Sequence, residues 1–88
     1  MNDFYNNKEN KRFELTIDGM TVFADYKRIG RQLYLYHVEA PHDLRGTGAA
    51  GKLMTEILRF SKREQLSIIP ICSYAAYWLK KNRQISQK

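Results

Sequence analysis

The sequence predicts one domain of mixed α/β class, on three observations. Its 88 residues can fill one compact core and not two. At 43% hydrophobic and 27% charged residues, the composition is that of an ordinary globular chain rather than a disordered, collagen-like or membrane-spanning one. Period-two alternation and strand-forming residues separated by turn signals mark the first half, and apolar residues at helical spacing mark the second, in the order strand, strand, strand, helix, strand, helix.

Met1 to Lys11 is polar and rich in Asn and is expected to be a mobile arm; the domain proper is placed at residues 12–82 and a frayed tail at residues 83–88. Arg12-Phe13-Glu14-Leu15-Thr16-Ile17 alternates as a half-buried strand does. Asp18-Gly19 suits a tight hairpin turn, and Thr21 to Tyr26 returns as the second strand. After a turn at Ile29-Gly30-Arg31, Gln32 to Glu39 has the aromatic and aliphatic content of a third strand, completing an antiparallel meander. Pro41 lacks a ladder donor and releases the chain into a loop. From Ala49 to about Glu64, the residues Leu53, Met54, Ile57, Leu58 and Phe60 form one face of a helix, opposite Lys52, Glu56, Arg59 and Arg63. Ser67 to Cys72 is a short apolar run read as a strand, on which Pro70 points to an edge position or a bulge. The preceding helix is long enough for a crossover, so this strand is expected to run parallel to the third. Ser73 is placed as the cap of a last helix over Tyr74 to Lys81, with Tyr74, Tyr77 and Trp78 expected to pack inward.

Fifteen Lys and Arg against nine Asp and Glu leave a net charge of +6, which favours anionic partners. The cations are spread from Lys8 to Lys88 without a dense block, and no recognised RNA-binding motif accompanies the six tyrosines, so nucleic acid is not the expected partner. The polar start and the lack of a membrane-length apolar run lead to the expectation of a cytoplasmic protein with no membrane partner. A monomer or a weak dimer is expected. Cys72, the single cysteine, cannot form an internal disulfide or by itself build a zinc site, and no metal is assigned.

The segment Leu44-Arg45-Gly46-Thr47-Gly48-Ala49-Ala50-Gly51 lies between a hydrophobic strand and an amphipathic helix, where backbone N–H groups and the helix dipole can cradle a phosphate. Gly46 and Gly48 remove Cβ obstruction, Ala49 and Ala50 keep the first helical turn low, and Arg45 adds charge. The plainer reading is that these glycines only make the turn. Gly46 to Lys52 also spells the first seven positions of a nucleoside-triphosphate P-loop, but Leu53 stands where the Mg²⁺-binding hydroxyl belongs, and an antiparallel meander is the wrong preceding structure.

Arg45-Gly46-Thr47-Gly48-Ala49-Ala50 resembles the R/Q-x-x-G-x-G/A signature of GCN5-related N-acetyltransferases. With Asp18-Gly19, His37-Val38-Glu39 and Pro70-Ile71-Cys72-Ser73-Tyr74, the stretch from Phe13 to about Leu79 resembles the short group of that family, which has a glycine-rich CoA loop and a cysteine near the acetyl group. The resemblance implies a truncated acetyltransferase fold that binds acetyl-CoA. Val38 and its strand neighbours would pair with pantetheine, and Gly46 to Ala50, flanked by Leu44, would hold the pyrophosphate. The acceptor implied is an unidentified amine, a protein amine among the candidates. The alternative is a CoA-binding module that does no chemistry and acts through a protein partner.

Three residues are candidates for the chemistry. Cys72, at a strand end before a helix, is a nucleophile that would carry the acetyl group before an amine takes it; its plainer role is a small core residue. His37 and Glu39 share a face of a regular strand, and either can take a proton from an amine. Larger relatives often carry a glutamate earlier on the equivalent strand, where this chain reads Gln32-Leu33-Tyr34, a departure from the usual base. Tyr74 and Tyr77 are further cofactor-binding candidates, although an aromatic stripe at helical spacing is more often core. Lys80, Lys81 and Arg83 would reach adenosine phosphates, unless they form only a solvated helix end.

Overall fold

The computed structural model describes residues 3–82, and the expected tail at 83–88 lies outside the described residues. Five strands form one sheet in the order β1 (Asp3–Asn7), β2 (Arg12–Ile17), β3 (Met20–Ile29), β4 (Gln32–Glu39) and β5 (Ser67–Pro70). The first four are antiparallel; β5 runs parallel to β4 after the crossover through α1 (Ala49–Glu64), and α2 (Ser73–Lys81) follows. Pro70 sits opposite Leu35 on this edge strand, where its missing N–H costs no ladder bond.

Most of the expected arm is instead strand β1. Its five residues pair with β2, and Phe4 stacks on Phe13 with ring centroids 5.8 Å apart. Tyr26 Oη fixes the same strand from the far side by donating to Asn6 Oδ1 at 2.7 Å. One apolar anchor and a ladder are enough to hold a segment whose outward residues are polar.

The core lies between one sheet face and both helices. Phe13, Leu15, Val22, Ala24, Leu33 and Leu35 supply the sheet side, against Leu53, Met54 and Ile57 of α1 and Ala75 of α2. Each buried leucine or isoleucine contributes about 1.5–3 kcal/mol relative to exposure. The helix face read from the sequence is therefore the one that packs.

The opposite sheet face carries polar and aromatic residues. There the Arg12 guanidinium bonds Asp25 Oδ1 at 2.8 Å and lies 4.0 Å above the Phe23 ring, whose centroid is 6.3 Å from that of His37. An antiparallel sheet tolerates such a solvated face. Among the described residues no helix is long and apolar enough to cross a membrane.

Candidate functional site

Two local features of β4 and α1 build the site. Along β4 the pairing with β3 slips: Leu35 stands opposite Tyr26 but His37 opposite Asp25, so Tyr36 is an extra residue in the strand. This bulge changes which residues face inward. Leu33 and Leu35 point into the core, and after the slip Val38 does so, beside Ala24. His37 and Glu39 consequently share the opposite, open face of the sheet.

At the same level β5 leaves. Its pairing with β4 ends at Leu35 opposite Pro70, and Leu35 O accepts from both Ile71 N and Cys72 N at 2.9 Å. From Tyr36 to Glu39 the strand is thus paired on one side only, which exposes a short run of backbone to a ligand.

The chain then passes through a 3-10 turn (His42–Leu44) into the glycine segment. Gly46 and Gly48 have φ of 80° and 85°, a conformation open to glycine and unfavourable for other residues. Gly48 is the N-cap of α1 and offers no side chain to it. Lys52 N is the donor that closes the first helical turn onto Gly48 O, which leaves the N–H groups of Ala49, Ala50 and Gly51 without intrahelical acceptors. A Cβ built on Gly46 or Gly48 would meet nothing within 4 Å. These N–H groups border a cavity of about 250 Å³ lined by Ala40, Leu44, Arg45, the three glycines and Tyr74.

The side chains around the cavity have distinct jobs. Leu44 and Ala49 are core residues whose backbone bounds the cradle. Thr47 turns away, its hydroxyl and its N–H both donating to Leu44 O. Arg45 folds back so that Nε donates to Ala40 O at 3.1 Å, bracing the loop. Gly51 was legible as part of the glycine run but not for its contact: a Cβ there would stand 3.2 Å from Trp78 Nε1 and 3.9 Å from Tyr74 Oη. It lets α2 approach the start of α1, and so brings Tyr74 to the cradle.

Cys72 is the half-buried N-cap residue of α2, and Ser73 is the first helical residue rather than the cap. A backbone that turns from β5 into the helix at Cys72 leaves no place for the hydroxyl cap expected from sequence. Tyr74 follows two residues later, in the first turn of α2. Burial first, then Cys72 and Tyr77, hold the Tyr74 phenol above its ordinary pKa, so its proton stays available for donation. Tyr74 and Trp78 pack on the core as expected, whereas Tyr77 is 59% exposed and does not line the cavity. Lys81 Nζ sits 5.7 Å from the Tyr77 ring, Lys80 lines a separate groove between the helices, and Arg83 lies outside the described residues.

His37 Nε2 and Glu39 Oε1 are 2.8 Å apart, both side chains about half exposed. A carboxylate can only accept, so Nε2 is the donor of this bond and Nδ1 is the ring nitrogen turned away from Glu39. No hydrogen bond or ion pair joins this pair to Cys72 or Tyr74 among the described residues. The three catalytic candidates therefore form two separate groups on either side of the point where β4 and β5 part.

The family model for GCN5-related N-acetyltransferases matches residues 12–88. The chain belongs to this family. It is an acetyltransferase by that membership. The solution structure of a GCN5-like candidate N-acetyltransferase from Staphylococcus aureus superposes with a TM-score of 0.72 at 20% identity, covering 93% of this chain and 81% of that one. That likeness shows the shared fold. No curated protein matches the sequence.

Proposed function

We propose that the protein transfers the acetyl group of acetyl-CoA to an amine that approaches on the open sheet face. The observation that carries this reading is the pairing of two unsatisfied backbone surfaces. The N–H groups of Ala49 to Gly51 face a cavity at a positive helix end, and the one-sided stretch Tyr36–Glu39 begins within the same strand–turn–helix unit. The first suits a pyrophosphate and the second the amide groups of pantetheine. The cradle fits the donor because the space above Gly46 and Gly48 is open where any side chain would intrude.

The chain's own groups then divide the chemistry. A neutral amine attacks the acetyl carbonyl carbon, the carbon–sulfur bond breaks, the amine proton passes to His37 Nδ1, and Tyr74 Oη protonates the departing thiolate. Glu39 holds the imidazole and stabilises its charged form. On the covalent route Cys72 Sγ attacks the acetyl carbonyl carbon, the carbon–sulfur bond to CoA breaks, and CoA leaves with the Cys72 proton as a free thiol. The amine then attacks the acetyl-cysteine carbonyl, the bond to Sγ breaks, and the amine proton passes to Sγ to restore the Cys72 thiol.

Intact mass after incubation with acetyl-CoA, in wild type and Cys72→Ala, separates these routes. An adduct of about 42 Da on wild type that is lost in Cys72→Ala and discharged by an added amine supports the covalent route. Acetylation of the amine by both proteins without an adduct supports direct transfer. Binding of CoA with no transfer to any amine overturns the enzyme reading in favour of a CoA-binding module.

A further inference from the structure

A second cavity, of about 360 Å³, opens at the other end of α1. Its floor is apolar, made by Leu33, Phe60 and the Tyr26 ring. Three cations line it: Lys8 and Lys11 from the turn between β1 and β2, and Arg28 from β3. Glu64 is the one carboxylate in the lining. Among the described residues neither that carboxylate nor any of the three cations makes an ion pair.

The turn that carries the lysines is fixed rather than loose. Tyr26 N donates to Lys11 O at 2.9 Å, Lys11 N to Lys8 O at 3.3 Å, and Asn10 N to Asn7 Oδ1 at 3.2 Å. Lys11 has φ of 53°, a costly conformation for a lysine that these bonds hold in place. Tyr26 Oη spends its proton on Asn6 Oδ1, so the Asn6 amide N–H groups remain as donors at the rim. Burial pushes the Tyr26 phenol up, against the opposing effects of Asn6 and Arg28, and the ring stays neutral beside the cations.

We propose that this cleft is a second anion site, taking a phosphate monoester borne on a planar ring, of nucleoside-monophosphate size. Its volume lies in the usual range for small-molecule pockets, its floor offers aromatic and aliphatic contact to a ring, and its unpaired cations meet a doubly charged phosphate. The site is distinct from the glycine cradle. Phe60 lies more than three helical turns beyond Gly48, about 18 Å along the axis at about 1.5 Å per residue, so one bound phosphate group cannot touch both.

The test is a titration of the full chain with AMP, adenosine and inorganic phosphate, each with and without saturating CoA, followed by calorimetry and by backbone amide shifts. AMP is expected to bind at least about tenfold more tightly than either fragment, to shift the amides of Lys8, Lys11, Tyr26 and Arg28, and to do so equally with CoA present. Lys8→Glu with Arg28→Glu is expected to weaken AMP by at least about tenfold, and Lys27→Glu with Arg59→Glu, which changes the net charge equally at positions that line neither cavity, to leave it unchanged. The proposal is overturned by shifts confined to other residues, by inorganic phosphate binding as tightly as AMP, by loss of AMP binding on CoA saturation, or by equal effects of the two double variants. The shifts in the unsubstituted protein decide the matter even if the charge-reversed variant fails to fold. The outcome is independent of acetyl transfer, since AMP binding is read without turnover.

Discussion

The two halves of β4 have different tasks. Gln32–Leu35 is flanked by β3 and β5, and its Leu33 and Leu35 are fully buried. Tyr36–Glu39 is flanked by β3 alone, and three of its four side chains are exposed. The second half opens on the extra residue, Tyr36, at the point where β5 departs. The comparison teaches that this fold makes its candidate site by ending a pairing: the same strand that seals the core offers, one residue later, open backbone on one edge and the His37–Glu39 pair on the open face.

Substitutions in the two halves should separate stability from activity. The largest effect is expected from Leu35→Ala, which removes a fully buried side chain; it should cost about 2–5 kcal/mol in urea unfolding. His37→Ala, in the open half, should leave stability within about 0.5 kcal/mol and slow amine acetylation by about 100-fold. If His37→Ala proves as destabilising as Leu35→Ala, or leaves transfer intact, the division of the strand fails.

Tyr74→Phe sharpens the same comparison from the α2 side. It keeps the packing and removes the hydroxyl, so a reduction of about tenfold in transfer with little change in stability is expected if the phenol protonates the departing thiolate. The smallest effect is on pH dependence. Tyr26 and Tyr74 are both held above the ordinary tyrosine value of 10.0, mainly by burial. The unfolded chain therefore loses these protons first, and their contribution is present below pH 10 and lost as pH rises through the folded values. Replacing both with Phe should flatten the alkaline decline in melting temperature.

Much of this was legible in the sequence, for identifiable reasons. The outline of β2 follows from polarity alternation, that of β4 from its aromatic and aliphatic content, that of α1 from the apolar face at Leu53, Met54 and Ile57, and the parallel return of β5 from the length of α1. The glycine cradle was visible because its chemistry is written in one short segment. Strand β1 was missed because Phe4 is its one anchor to the core and the ladder that holds it is long-range. The bulge left a trace that passed unread: Leu33, Leu35 and Val38 break the period of two. Strict alternation would have put His37 inward. The contact of Gly51 with Trp78 has no local signal, since it joins two helices far apart in the chain.

The most direct test of the central claim is CoA binding followed at the backbone amides of Gly46, Gly48, Ala49, Ala50 and Gly51. CoA should shift these amides together with those of Tyr36 to Glu39, and Gly48→Glu, checked for folding by its melting temperature, should bind at least about 100-fold more weakly. A folded Gly48→Glu that binds CoA as wild type does, or shifts that fall elsewhere on the chain, would contradict the account.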